Sequence, residues 1–241
     1  MRGADYTIWL VALLLYIVDA ARLLAPRHLL LTEAGPGRLA PVLSEEPFTL
    51  AGRALAFTPL LRPDRGAFAA PWGEAWADGA RLESAVESLA RLRQRLRVAR
   101  LVAAWAFVLL FGVGPALTLA LGTNAAVVYT AAILYPTILV AIGGVWWQRR
   151  ALGLTAARCA GLGLEILVCP AFLPNLVRKI TWPHPIAVDA AQLLVATGSR
   201  VDEEFLGRLE RRAEDLVDRA SPGEAVRRQL DDYLATVRGA R

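Results

Sequence analysis

The sequence predicts a mainly α-helical integral membrane protein with three transmembrane helices, a small β-containing cytoplasmic loop and a C-terminal cytoplasmic helical bundle. Apolar residues make up 56% of its 241 residues and charged residues 20%, with a mean hydropathy of +0.41. Charged residues are nearly absent from three windows, 7–25, 101–121 and 125–147, in which the only charged residues are Asp19 and Arg22. Stretches of about 17–25 apolar residues match the hydrocarbon thickness of a bilayer. Arginines gather at the ends of these windows, which is typical of membrane helices.

The arginine positions predict the orientation. The residues before the first window, 1–5, carry little net charge, whereas Arg22 and Arg27 lie near or after its end. Five arginines precede the second window: Arg91, Arg93, Arg95, Arg97 and Arg100. An uncharged link, 122–124, joins the second and third windows, and Arg149 and Arg150 follow the third. By the positive-inside rule the N-terminus is outside and the C-terminus cytoplasmic, which we assign to a bacterial inner membrane.

The first helix, within residues 1–25, is predicted to be retained. Its leading segment has one arginine beside Asp5, and no clean A-x-A site follows, as a cleaved signal peptide requires.

The cytoplasmic loop 26–77 is punctuated by seven prolines, so long helices are not expected there. Within it Phe48 and Leu50 alternate, Ala51-Gly52 allows a turn, and Leu55 and Phe57 alternate again. This pattern predicts a short β-hairpin.

Residues 78–100 are predicted to form an amphipathic, arginine-rich helix that begins at Asp78 and continues into the second span. Its apolar stripe repeats at steps of three and four residues and comprises Leu82, Ala85, Leu89, Leu92, Leu96 and Ala99. Arg93, Arg97 and Arg100 fall along one side of this stripe, where we expect lipid or partner contact. A solvated helix packed on its own domain is the alternative.

Residues 101–147 are predicted to form a hairpin of two transmembrane helices. A kink is expected near Phe111 in the first of them, because Pro115 lacks an amide donor. Residues 148–185 are predicted to lie at the interface or to re-enter the membrane. Their apolar part, 159–177, contains Glu165 and two prolines. A fourth span is not expected there, because it would place Arg178, Lys179 and the tail outside, against the positive-inside rule. Burial of this part against the cytoplasmic domain is the third possibility.

The tail, 186–241, is predicted to be helical and cytoplasmic. Asp189 is a candidate N-cap for a short helix closed by Gly198, and a longer amphipathic helix should run from Asp202 to Ala220. The run Ser221-Pro222-Gly223-Glu224 then supplies the start of a last helix. Two such helices would form a small bundle or a partner-docking module.

The motif search predicts no catalytic residue, metal ligand or cofactor. Walker A, GxGxxG, HExxH and GxSxG patterns are absent from the sequence. Cys159 and Cys169 have no clustered histidines and make no zinc pattern, and the two histidines are isolated. Nucleic acid is not an expected partner, because the tail 181–241 carries nine arginines against eleven acids.

A few polar residues in apolar segments remain as candidate sites. The membrane-depth acids are Asp19 and Glu165, and acids at that depth are functional candidates by default. Arg22 lies one turn after Asp19, so a local ion pair is the simpler expectation for Asp19. Directly after the proline-broken segment, Asn175, Arg178 and Lys179 are expected to contact lipid phosphates or a partner.

Three functions are compatible with these features. The first is a non-catalytic inner-membrane subunit, scaffold or anchor of a larger complex, with membrane lipids and other subunits or further copies as partners. The second is an ion-conducting or energising subunit with Thr118, Thr130 and Thr137 along a pore. It is implied by a resemblance, since the chain is similar in topology and length to proton-channel proteins of the ExbB/TolQ type. The loop 26–77 departs from that mostly helical family. The third is a membrane enzyme acting on a lipid, with Glu165, His184 and Cys169 as candidates.

Overall fold

The computed structural model describes residues 6–35, 37–42, 49–50, 53–199, 203–220 and 224–239. The described chain is mainly helical with a small amount of sheet. In chain order the helices are α1 (Thr7–Ala20), α2 (Gly79–Arg95), α3 (Arg97–Val108), α4 (Gly114–Leu121), α5 (Thr123–Gln148), α6 (Ala156–Val168), α7 (Leu176–Thr181), α8 (Ala190–Ala196), α9 (Glu203–Ala220) and α10 (Glu224–Gly239). The strands are β1 (Ala21–Leu24), β2 (His28–Gly35), β3 (Arg38–Val42), β4 (Thr49–Leu50), β5 (Arg53–Phe57) and β6 (Ala67–Pro71).

The chain divides into two compact units, each built from discontinuous segments. The helical unit comprises Met1–Ala21, Pro59–Gly66 and Leu92–Trp182. The mixed unit comprises Arg22–Thr58, Ala67–Arg91 and Pro183–Arg241, and it contains most of the strands and the tail helices.

Two helices of the helical unit are long and apolar enough to cross a membrane. They cover Arg97–Leu121 and Thr123–Gln148, with 25 and 26 residues. At 1.5 Å per residue each is about 38 Å long, against about 30 Å for a bilayer core. Only 33% and 28% of their apolar windows are buried in the structure, whereas the core helix of a water-soluble protein buries most such residues. Length and composition therefore support the second and third predicted spans.

The first predicted span is shorter than the sequence suggested. Helix α1 has 14 residues and is about 21 Å long, and residues 21–24 form β1 instead of continuing the helix. The apolar run 7–25 therefore comprises a helix and a strand. The structure supports two helices of spanning length where the sequence predicted three.

The predicted distortion before Pro115 is present as a π-helical turn, Leu109–Val113, between α3 and α4. The Gly114 amide donates to the Leu109 carbonyl five residues earlier. Pro115 has no amide to donate to Phe111, and a widened turn absorbs this lost bond without ending the helix.

Helix α1 packs on this distorted helix. The Trp9 indole donates to the Thr118 hydroxyl at 2.8 Å, and its ring covers Gly114 so closely that an added Cβ would lie within 3.0 Å of ring atoms. Nearer the end of α1, the Tyr16 ring contacts Phe107 and Phe111, with centroid separations of 5.6 and 5.3 Å. A glycine and a threonine one turn apart thus admit an aromatic side chain, as small residues do in membrane helix interfaces.

Residues 148–182 fold back on the helical unit. Helix α6 has 13 residues, about 20 Å, and packs along α5, with Gly163 beside the Ile142 side chain. Pro170 follows its end and begins a 3₁₀ turn, Pro170–Asn175, that leads into α7. This turn is largely buried, and irregular backbone at membrane depth is tolerated where protein covers it. The interfacial or re-entrant placement of residues 148–185 stays a prediction.

The mixed unit contains two three-stranded sheets, ordered β1-β5-β4 and β3-β2-β6. The predicted hairpin corresponds to β4 and β5, which pair antiparallel with Leu50 opposite Arg53; Phe48 and Ala51-Gly52 lie outside the described residues. The second sheet was not predicted from the sequence. Its central strand, β2, carries Leu29–Leu31, all fully buried.

Helix α2 begins at the predicted position, since the Asp78 carboxylate accepts the Arg81 amide at 2.8 Å. The continuous helix expected over 78–100 is nevertheless interrupted at Leu96, which leaves helical geometry (ψ 1°) before α3 begins. Leu89, Leu92 and Leu96 of the predicted stripe are buried.

The tail folds as the sequence predicted in its described part. Asp189 caps α8 by accepting the Ala191 amide at 2.9 Å, and Gly198 follows with a φ of 64°. The Tyr233 hydroxyl of α10 donates to the same carboxylate at 3.0 Å. Helices α9 and α10 pack on each other, and Ser221-Pro222-Gly223 lie outside the described residues. Burial raises the pKa of Asp189, an effect partly offset by the hydrogen bonds it accepts.

Candidate functional site

The candidate site is a cluster of charged side chains inside the helical unit, which we call the charge cluster. It consists of Asp19 at the end of α1, Glu165 on α6, and Arg178 and Lys179 on α7, with Asn175 just before α7. Two carboxylates and two cations give the cluster a formal charge of zero. The order of the chain alone does not suggest this grouping, because α1 and α7 are separated by more than 150 residues.

Lys179 lies between the two acids. Its Nζ is 2.5 Å from Asp19 Oδ1 and 2.7 Å from Glu165 Oε1, and it also lies 4.9 Å from the centre of the Phe172 ring. The side chains of Lys179 and Asp19 are 6% and 8% exposed, whereas that of Glu165 is 42% exposed. Lys179 and Asp19 therefore form a buried ion pair, and Glu165 links this pair to the surface of the unit.

Asn175 joins the acid side of the cluster to its basic side. Its Nδ2 donates to Asp19 Oδ2 at 2.9 Å and to the Tyr16 carbonyl at 3.1 Å. Its Oδ1 accepts a hydrogen bond from Arg178 Nη1 at 2.5 Å. Both ends of the amide are thus used, as expected for a fully buried polar side chain.

Arg178 holds the segment Pro59–Gly66 against the helices. Its Nη1 donates to the Tyr16 hydroxyl at 3.2 Å, and its Nη2 donates to the carbonyls of Pro59 and, at 3.0 Å, of Arg62. The Tyr16 hydroxyl itself donates to the Leu60 carbonyl at 2.5 Å. A guanidinium presents several donors in a rigid plane, so one arginine can hold a helix and a loop together.

Chemically, the cluster is arranged to join elements of the fold. Lys179 is neutralised by the two acids, and the donors of Arg178 are directed at neutral protein acceptors, which reduces the penalty for keeping these groups out of water. Glu165 retains an exposed carboxylate edge that a proton could reach from outside the unit. Among the described residues no group of three or more His, Cys, Asp or Glu side chains is placed to hold a metal ion.

The predicted site residues are only partly placed as expected. Asp19 and Glu165 meet through Lys179, so Asp19 has a distant lysine as an ion-pair partner that local spacing did not predict. Asn175, Arg178 and Lys179 are buried, and this burial argues against the lipid contact predicted for them. Tyr16 contacts the cluster through Asn175 and Arg178 and was not predicted from the sequence, because nothing in its local pattern indicates that its hydroxyl is buried.

The remaining candidates lie outside the cluster. Arg97 is exposed, and Arg93 and Arg100 are half-buried, so a contact role for these three stays a prediction. Thr118 and Thr137 donate to carbonyls of their own helices, Gly114 and Ile133, at 3.1 and 2.9 Å. Thr130 is buried, as is Cys159, whereas Cys169 is half-buried. Glu165 and Cys169 belong to the helical unit and His184 to the mixed unit.

Comparison of the chain with protein-family models, with curated proteins and with solved structures finds no match.

Proposed function

We propose that the chain is a non-catalytic integral protein of the bacterial inner membrane that serves as a subunit, scaffold or anchor of a larger membrane complex. Its N-terminus is outside and its C-terminus cytoplasmic in this proposal. The observation that carries it is the polar character of the exposed centre of α5.

Tyr135 and Pro136 lie in the middle of α5. Tyr135 is 12 residues from Thr123 and 13 from Gln148, so about 18–20 Å of helix extends on each side of it. Its side chain is exposed (43%) on the outside of the helical unit. Pro136 cannot donate to the Ala132 carbonyl, which therefore loses its usual intrahelical partner. Ala132 is also exposed.

In a bilayer this position is the least polar part of the membrane. Tyrosine prefers the two interfaces, where its hydroxyl meets water, and backbone carbonyls within the hydrocarbon need a hydrogen-bonding partner. Hydrogen bonds between membrane helices contribute about 0.6–2 kcal/mol each. A second helix packed on this face, with polar groups for Tyr135 and Ala132, would relieve both costs. The exposed face of α5 therefore favours a protein neighbour.

The charge cluster supports a structural role. It fixes α1, α6, α7 and the segment Pro59–Gly66 to one another through the ion pairs of Lys179 and the hydrogen bonds of Arg178. A rigid unit of this kind suits a protein that positions other subunits.

The test is the oligomeric state of the full-length protein in nanodiscs, measured by blue-native electrophoresis and native mass spectrometry. We expect a complex larger than the monomer, and we expect Tyr135→Leu to shift it toward the monomer. Ile133→Leu, a neighbouring exposed position without a polar group, is the matched control and should leave the complex intact. A monomer at every concentration, with no stoichiometric partner in native membranes, would contradict the proposal.

An ion-conducting subunit is the second candidate, favoured by one observation. The half-exposed Glu165 carboxylate leads through Lys179 to the buried Asp19, an arrangement through which a proton could enter the unit. Proton flux into proteoliposomes distinguishes the two functions: conduction that is lost in Asp19→Asn and Thr130→Ala supports this candidate, and flux unchanged in both variants removes it.

A further inference from the structure

A basic end on α6 lies beside the end of α5. The Leu154 amide donates to the Arg149 carbonyl at 2.8 Å, which closes the turn after α5. Thr155 then caps α6 by accepting the Arg158 amide at 3.2 Å. This short connection keeps Arg149, Arg150 and Arg158 at one end of the helical unit. Residues 148–164 contain these three arginines and no acid.

The side chains at this end have the character of a membrane interface. Arg150 and Arg158 are exposed, and the Arg149 guanidinium lies 4.8 Å from the centre of the Trp146 ring. Trp147 is 90% exposed. Tryptophan and arginine together at the end of an apolar helix are typical of the headgroup region of a bilayer.

The other end of α6 is apolar on its outer face. Leu164, Leu167 and Val168 are exposed, Val168 to 74%, while Leu162 and Ile166 pack inward. The Glu165 carboxylate, which lies between them, is neutralised by Lys179. Along about 20 Å of helix the outer surface thus changes from cationic to mainly apolar, with the partly exposed Glu165 side chain held by Lys179.

We propose that this surface binds anionic phospholipid: Arg149, Arg150 and Arg158 contact the lipid phosphates, and the outer face of α6 lies among the acyl chains. The two-part surface matches the two-part chemistry of a phospholipid. Lipid contact is thereby assigned to the start of α6 and not to the buried Asn175, Arg178 and Lys179. The inference rests on the membrane insertion contained in the proposed function, and it is independent of complex formation.

The size of the effect follows from the charges. A basic residue near an anionic membrane surface contributes about 1 kcal/mol, which is about fivefold in affinity. Loss of three arginines is therefore expected to weaken binding of an anionic lipid at least tenfold and up to about a hundredfold. Added salt should weaken it too, because exposed charges are screened.

Native mass spectrometry of the full-length protein with phosphatidylglycerol and with phosphatidylcholine tests the headgroup part. We expect preferential phosphatidylglycerol binding that is lost in R149Q/R150Q/R158Q. The charge-matched control R38Q/R53Q/R91Q removes three exposed arginines of the mixed unit and should retain the preference. Equal binding of both lipids by the unmodified protein, or equal loss in both variants, overturns the proposal.

Spin labels at positions 164 and 168, in a chain whose two cysteines are replaced by serine, test the apolar part in vesicles. We expect both labels to be accessible to oxygen and shielded from a water-soluble nickel complex, like a label at Leu139 on the exposed face of α5. Nickel accessibility, or shielding from both reagents by covering protein, overturns the proposal.

The native mass spectra of the lipid-binding experiment also report stoichiometry. A monomer that binds phosphatidylglycerol refutes only the proposed complex, and a complex without lipid preference refutes only this inference.

Discussion

Replacing Lys179 by methionine is the most informative perturbation of the charge cluster. Methionine keeps most of the volume of the side chain but removes the ammonium that lies 2.5 Å from Asp19 and 2.7 Å from Glu165. The two acids lose the same partner but differ in exposure, at 8% and 42%. Their difference allows the contributions of the two ion pairs to be separated.

The magnitude follows from burial. Breaking a buried ion pair by removing one partner costs about 3–5 kcal/mol, because an uncompensated charge remains inside the protein. Lys179 keeps Asp19 as its buried partner when Glu165 is replaced, and Glu165 is itself half-exposed, so Glu165→Gln should cost no more than about 1 kcal/mol. Asp19→Asn combined with Lys179→Met removes both buried charges, and we expect the double variant to recover at least half of the stability lost in Lys179→Met.

The assay is reversible unfolding of the purified protein in mixed micelles of increasing sodium dodecyl sulfate content, followed by tryptophan fluorescence. Trp9 reports directly, since its indole packs on Gly114 and Thr118. The reasoning fails if Lys179→Met costs less than about 1 kcal/mol, if Glu165→Gln costs as much as Lys179→Met, or if the double variant is no more stable than Lys179→Met alone.

Two further predictions concern packing and pH. Gly114→Ala should destabilise α1 packing by about 1–3 kcal/mol, because the new methyl group would clash with the Trp9 ring. The control is Gly112→Ala, where an added Cβ makes only an ordinary 3.9 Å contact, and it should be near neutral in the same unfolding assay. Equal losses of stability in the two variants would contradict this account. The pKa of Asp189 is raised by burial in the folded mixed unit, so the folded state holds this proton more tightly than the unfolded state. Its contribution to stability is therefore complete below the ordinary aspartate value of about 3.9 and is lost as pH rises through the folded value. Asp189→Asn should flatten that decline in thermal unfolding measured across pH, and an unchanged slope would show that other groups cause it.

The elements that the sequence predicted well are those with local signals. Hydropathy located the helices Arg97–Leu121 and Thr123–Gln148, Asp78 and Asp189 marked the starts of α2 and α8, and Pro115 marked the distorted turn. Each of these elements is determined by residues that are close together in the chain, so the local sequence contains the information needed to predict it.

What the sequence could not predict depends on long-range contacts. The end of α1 at Ala20 coincides with the start of a strand in the β1-β5-β4 sheet, and hydropathy over 7–25 does not distinguish that strand from more helix. Lys179, an ion-pair partner of Asp19, is 160 residues away, and local spacing suggests only Arg22 as a candidate. The sheet around β2 had a usable signal, since Leu29–Leu31 form a short apolar run between Pro26 and Gly35, which is typical of a buried strand.

The widened turn at Leu109–Val113 sets how the two halves of this helix are aligned relative to α1. A π turn accommodates one more residue than the α-helix it replaces. If the same residues wound as an unbroken α-helix, everything after this turn would be rotated by about 100°, the angle between successive residues of an α-helix with 3.6 residues per turn. Gly114 and Thr118 would then turn away from Trp9, while Phe107 would keep its place beside Tyr16. One inserted residue thus lets a single helix offer α1 two well-fitted surfaces that an unbroken helical repeat would not align.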